Sequence, residues 1–207
     1  MSTPAKKLDW KKELKDLYSA SKEEATEVDV PPTTYLMIDG KGDPNTSGEY
    51  REAIETLFPV AYALKFAIKK SGGADYSVMP LEGLWWTDGN TPFTPGNKEG
   101  WLWTALIAQP SMVTQQVLDP VLSEVKKKKQ LPALGRLRLE RLTEGKSVQI
   151  LHVGPYAAEG PTIGKLHQYA QQHGYHPSGK HHEIYLNTPG RTADEKLKTI
   201  IRQPVRR

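Results

Sequence analysis

The stretch GKHHEIYLNTPGRT, residues 179–192, sets a glutamate, Glu183, among His182, Ile184, Tyr185 and Leu186 in what reads as a buried β-strand over 181–186. A carboxylate in such a place is costly unless a cation, a hydrogen-bond donor or a reacting group meets it. Strand side chains alternate, so His181, Glu183 and Tyr185 share one face and His182, Ile184 and Leu186 the other. A carboxylate whose pKa an apolar pocket raises is suited to take a proton from water. A tyrosine hydroxyl is suited to give one back. The plainer alternative is a structural ion pair, because a strand glutamate often faces an arginine or lysine on the neighbouring strand.

Two aromatic strands supply a possible wall for that site. PLEGLWWT (80–87) and GWLWTALIAQP (100–110) flank a loop rich in Gly, Pro, Asn and Asp. If Leu102, Leu106 and Ala108 pack against helices, Trp101, Trp103 and Ile107 turn to the opposite face. Adjacent Trp85 and Trp86 diverge, one to each side. One face then collects Glu183, Tyr185 and two or three of the chain's five tryptophans. Such a surface suits a flat aromatic or cationic ligand through stacking and cation–π contact. The competing reading is ordinary core, where strand tryptophans usually sit.

Other chemistries find little support. The chain lacks cysteine, which removes disulfides, thiolate metal sites and thiol nucleophiles. His181 and His182 cannot both reach one ion from adjacent strand positions, and His173 and His176 straddle a helix end at Gly174. HHEIY is not HExxH, GKGDPNTSG lacks the ending of a phosphate loop, and there is no G-x-S-x-G elbow. No metal and no cofactor is expected. The net charge of +4 gathers in KKKK at 126–129, read as the end of a helix, and in Arg206-Arg207. Without interleaved aromatics or a helix-turn-helix, these read as solvated faces, so nucleic acid is not an expected partner. No apolar run is long enough to span a bilayer and the N-terminus lacks a signal-peptide segment. A cytoplasmic location is expected.

The elements that must position these residues can be read along the chain. Residues 1–31, ending at Pro31-Pro32, read as a short leading helix over 8–18 and a linker; residues 32–207 read as the folded domain. A strand over 34–42 precedes a helix from about 48 to 70, opened by Thr46 and Glu49 at capping-box spacing and kinked at Pro59. After the two aromatic strands come a helix from Thr114 to about Lys129 and an alternating strand, LGRLRLERL (134–142). Then follow a strand over 146–154, a helix over 160–173, the strand 181–186, a short helix opened at Thr192, and a strand over 199–205. LIAQP at 106–110 echoes IIRQP at 200–204, and LEGLWW against HEIYL sets Glu82 opposite Glu183, so an internal duplication is expected. The fold class is α+β: tandem pseudo-symmetric strand-helix-strand-strand modules, with helices on one face of an antiparallel sheet and a ligand groove on the other.

LPALGRLRLERL, QILHVGPY, LEGLWW, WLWTALIAQP and above all GKHHEIYLNTPGRTADEKLKTIIRQPV resemble the GyrI-like family of small-molecule-binding domains, over about residues 33–205. The resemblance implies paired modules with a ligand groove between them. In regulators of that family the domain is the drug-sensing half; this chain most resembles the stand-alone branch. That branch includes enzymes that hydrolyse cyclopropanoid DNA-alkylating compounds with a glutamate and a tyrosine as working groups. The resemblance puts the glutamate at Glu183 and the tyrosine at Tyr62 in FPVAYALKF; the ligand contacts expected from strand alternation are Trp85, Trp86, Trp101, Trp103 and Tyr185. The implied partner is a planar aromatic small molecule. A non-catalytic drug-binding protein is the second reading and a gyrase-interacting inhibitor the third.

Overall fold

The structure is a computed structural model that describes residues 7–87 and 98–207. A two-residue strand, β1 (Lys7–Leu8), and a single helical turn, α1 (Trp10–Glu13), lead to β2 (Thr26–Val30) and β3 (Thr33–Lys41). The long helix α2 (Gly48–Lys70) is followed by β4 (Asp75–Tyr76), β5 (Glu82–Thr87) and β6 (Trp101–Gln109). Helix α3 (Gln115–Lys128) and β7 (Arg138–Leu142) separate this half from β8 (Gly145–Val153), α4 (Gly160–Gln172), β9 (His176–Pro177), β10 (His181–Tyr185) and β11 (Lys198–Arg206). Among the described residues, nine strands form one antiparallel sheet in the order β2-β8-β11-β10-β5-β6-β3-β7, with β9 on the end of β11.

Outward from the β10–β5 seam, β10-β11-β8 on one side mirrors β5-β6-β3 on the other, and each half has its helix after the first strand. The duplication is therefore real, but its register differs from the expected one. Glu82 pairs with Leu106 and Ile184 with Ile200, and Leu106 and Ile200 are the equivalent first residues of LIAQP and IIRQP. Glu82 thus corresponds to Ile184, which is also its partner across the seam. Setting it against Glu183 slips the register by one, and a slip of one exchanges faces. The two glutamates point to opposite sides of the sheet.

Both α2 and α4 cover the face that carries Glu183. Glu183 pairs with Ile201, which pairs with Ile150, and α4 packs Ile163, Leu166 and Ala170 over Ile150 and Ile201. On the other half, Tyr50 of α2 meets Trp103 edge-on, with ring centroids 5.0 Å apart. The tryptophan face is therefore the helix face, and Leu102, Leu106 and Ala108 turn away from the helices. Alternation groups residues by face but cannot say which face a helix covers when both are apolar. Here the second face is buried too, because the N-terminal segment crosses it. The Tyr18 hydroxyl donates to Glu82 at 2.8 Å, Arg202 donates to the Leu17 carbonyl at 2.6 Å, and Gln149 donates to the carbonyls of Asp16 and Ser19. The segment before Pro31 is accordingly not a detached helix and linker: α1 is one turn, and β2 pairs along β8 as the sheet's edge strand.

Under that segment lies a closed set of charges. His182 places Nδ1 2.9 Å from Glu144 and Nε2 2.9 Å from Glu82, while Arg202 reaches Glu144 at 3.5 Å. Burial alone would lower the His182 pKa; the charge of Glu144 and its hydrogen bond, then those of Glu82, raise it to about 9. Two cations face two carboxylates with no solvent between them.

Smaller differences are local. Ser47 rather than Thr46 caps α2, its hydroxyl accepting from the Tyr50 amide, and the helix runs on through Pro59. The alternating segment at 134–142 begins with a 3-10 turn before its strand, and Asp194–Lys196 forms only such a turn.

Candidate active site

On the helix face of β10, Glu183 is held from both sides along its own strand. His181 Nε2 lies 3.1 Å from one carboxylate oxygen, and the Tyr185 hydroxyl donates to the other at 2.8 Å. An ionised carboxylate only accepts, so Nε2 carries the proton in the first contact. The three residues are spaced by two, and the alternation of the strand brings all of them to one side. Tyr185 in turn accepts from the Trp85 indole Nε1 at 3.2 Å. That contact depends on Gly83, the residue paired with Glu183: a Cβ there would lie 2.7 Å from Nε1 and 3.0 Å from the Tyr185 hydroxyl. The neighbouring Arg202 does not reach Glu183, because it pairs with His182 and faces the other way.

The aromatic surroundings come from β5, β6, the start of α2 and the turn that opens α4. Trp85 meets Trp101 at 5.5 Å and Tyr50 at 5.5 Å between ring centroids. Tyr156, in the turn that opens α4, stands edge-on to Tyr185 at 5.5 Å. Lys98 sits 5.3 Å above the Trp101 ring. Glu183 thus lies on the floor between the start of α2 and the start of α4, with 11% of its side chain still exposed.

Protonation is divided unequally at this site. Glu159, the residue before α4, is buried with its carboxyl beside Glu183. Burial, then the negative charge of Glu183 and the hydrogen bond to it, push the Glu159 pKa up to about 9. For Glu183 burial also acts upward, but the hydrogen bond and charge of His181, then the donors Tyr185 and Glu159, outweigh it and hold the carboxyl below its usual range. The expected raised pKa of Glu183 is therefore corrected: the raised carboxyl is Glu159. Burial first, and the Glu183 charge among the further causes, push Tyr185 and Tyr50 well up and Tyr156 to about 12. These hydroxyls stay protonated as donors.

Of the residues singled out from sequence, Glu183, Tyr185, Trp85 and Trp101 come together here. Trp103 shares the face, but it is fully buried beneath Tyr50 and against Gly40, so it supports the wall from behind. Trp86 is on the opposite face, its ring 3.3 Å from the Lys180 ammonium. Tyr62 is not brought to Glu183: it is 47% exposed and stacks on Phe66. Twelve residues separate it from Tyr50, which turns it by roughly 120° around the helix. Tyr50 shares the buried stripe of Leu57, Ala61, Leu64 and Ile68, and that spacing was the available signal. Glu159 gave none, since helix-opening glutamates are common and ordinarily solvated. The loop between the aromatic strands lies mostly outside the described residues. No group of three or more potential metal ligands occurs among the described residues, nor does a helix long and apolar enough to cross a membrane.

Comparison with known proteins agrees with this architecture. The profile of the GyrI-like small molecule binding domain matches residues 23–206. An uncharacterised conserved protein from Listeria innocua is 39% identical, with a TM-score of 0.89 over 96% of this chain and 100% of its own. A hydrolase from the same organism is 38% identical, with a TM-score of 0.87 over 97% of this chain and 100% of its own. The C-terminal domain of EcmrR, at 13% identity and a TM-score of 0.55 over 89% of this chain and 98% of its own, shares the fold alone. No curated protein matches the sequence. A two-fold strand-helix-strand-strand sheet, together with the match over nearly the whole chain, makes this protein a member of the GyrI-like small-molecule-binding domain family.

Proposed function

We propose that the protein is a hydrolase that opens the activated cyclopropane ring of cyclopropanoid DNA-alkylating small molecules. The observation that carries this reading is a nearly buried carboxylate at the foot of an aromatic wall, held by the donors His181 and Tyr185 and turned away from Arg202. The similarity of the whole chain to a hydrolase from Listeria innocua supports it.

In these substrates a cyclopropane is fused to a cyclohexadienone. Water attacks the ring carbon, the breaking C–C bond delivers its electron pair into the dienone, and the carbonyl oxygen becomes a phenoxide. Glu183 takes the water's proton as the C–O bond forms. Tyr50 donates to the developing oxyanion, because it is a protonated hydroxyl on the α2 side of the site. Tyr185 already donates to Glu183, so the proton taken by the carboxylate leaves to solvent, and Tyr50, having protonated the phenoxide, regains its proton from water. The net change is addition of one water. Trp85 and Trp101 hold the planar body, and the work left to general acid–base groups is of a size they commonly supply, about 10²–10⁴-fold.

Two measurements test this. Incubation with a cyclopropanoid alkylator should yield, by mass spectrometry, a product heavier by one water and at a rate that scales with protein. Unchanged alkylator at saturating protein would remove the hydrolase reading. Separately, a flat aromatic ligand should quench tryptophan emission, since Trp85 and Trp101 are in contact at the site. Quenching without product would favour the drug-binding alternative; full emission with binding established by calorimetry would place the ligand elsewhere.

A further inference from the structure

Glu159 is a buried carboxyl for which the hydrolysis above needs no role. It is 5% exposed, and one of its oxygens has no hydrogen-bond partner among the described residues. Its carboxyl lies within hydrogen-bonding reach of Glu183. No cation is bound to it: Lys98, the nearest positive side chain acting on it, sits over Trp101. Two carboxyl groups facing each other in such surroundings cannot both ionise cheaply, and they share one proton.

We propose that Glu159 is the positioning residue of the catalytic base: it remains a carboxylic acid, donates its proton in a hydrogen bond to Glu183, and so keeps Glu183 ionised and aimed at the water. This rests on the hydrolase reading above. The two carboxylate oxygens of Glu183 offer about four lone-pair sites. His181 and Tyr185 take one on each oxygen, and Glu159 takes a third. One direction is left for the attacking water. The neutral donor adds a hydrogen bond to Glu183 and no further charge beside it.

The groups facing Glu159 are Glu183 and Tyr185 on β10, Tyr156 in its own turn, Thr199 on β11 and Lys98 ahead of β6. The N-terminus of α4 favours an anion at this position, and Lys98 does the same. Burial and the Glu183 charge act the other way and prevail. On this basis the active form is Glu183 ionised with Glu159 neutral. Activity falls in acid when Glu183 is protonated. It falls again near pH 9, when Glu159 ionises, withdraws its donor and adds a negative charge beside a developing phenoxide.

The first test does not need turnover. Infrared difference spectroscopy of the full-length protein at neutral pH should show the carbonyl stretch of a protonated carboxylic acid. That band should fade as pH passes about 9, and it should be missing in Glu159→Gln. No band at neutral pH, or a band that survives in Glu159→Gln, would overturn the proposal, whatever the substrate proves to be. The second test reads the pH profile of product formation. Glu159→Gln keeps an N–H donor that does not titrate, so the alkaline fall should vanish while the acid limb stays within a few tenths of a pH unit. Glu159→Leu removes the donor, so the acid limb should move to higher pH. Both limbs unmoved in variants with native circular dichroism would show that Glu159 only fills space. Absence of product from the wild-type protein with the infrared band present would sink the hydrolase reading and leave the shared proton standing.

Discussion

Glu183→Gln should lose turnover by roughly 10²–10⁴-fold while its affinity for a flat neutral ligand changes by less than about threefold. The amide keeps the shape of the carboxyl and accepts at its oxygen, but it cannot take the proton of water. The expected loss is in kcat with little change in KM, because the carboxylate acts mainly as attack proceeds. Tyr50→Phe should reduce kcat less, since water can donate to the product oxygen in its place. The comparison needs one product assay and one binding curve on each protein. If Glu183→Gln instead loses binding and keeps its turnover number, the carboxylate is an anchor for cationic ligands and the base lies elsewhere.

Glu144, in the turn between β7 and β8, meets His182 on the other face of β10, and Glu144→Ala should cost about 3–5 kcal/mol of folding stability. Glu144 faces both His182 and Arg202. Its removal leaves two buried cations with Glu82 as their only carboxylate. Domains of this kind have on the order of 5–15 kcal/mol in total, so urea melts should show a large fall in midpoint. The pH dependence has a definite sign. The His182 pKa is raised to about 9 from 6.5, so its contribution is complete below pH 6.5 and is lost as pH rises through 9. Glu144 is held below 4.5, chiefly by His182 against its own burial, so its contribution is present above 4.5 and is lost as pH falls through the depressed value. The wild-type stability curve should therefore slope down at both ends, and the variant's should be flatter. A midpoint within about 1 kcal/mol of wild type would mean that water enters and screens the pair.

The two predictions concern Glu183 and the carboxylate that meets its neighbour His182, and that adjacency within β10 explains how far sequence could go. In HHEIY, alternation alone assigned His181, Glu183 and Tyr185 to one side and His182 to the other, and hydrogen bonds between i and i+2 follow from that geometry. The duplicated LIAQP and IIRQP ends and the seven-residue spacings of α2 likewise carried the two-fold, mixed fold, because such periodicities are set by local backbone geometry. Residues such as Tyr62 and Trp86 could not be placed that way. Each has a suitable side chain, and each was separated from the site by a rotation about an element that local pattern does not measure.

What the sequence by itself determined was the main strands and helices from residue 33 onward, their division into two like halves, and the carboxylate amid aromatics on a strand. Those follow from period, caps and breakers acting over a few residues. Only the tertiary structure decided that the helices cover the tryptophan face, that an N-terminal segment seals the other, and that Tyr50, not Tyr62, packs against Trp85 and Trp103. It also brought Glu159 to Glu183 from the far end of a turn, which is why the raised pKa belongs to a residue with no signal of its own. Face, register and protonation are long-range quantities: they depend on which charged and apolar groups meet after folding, and no window along the chain contains both partners.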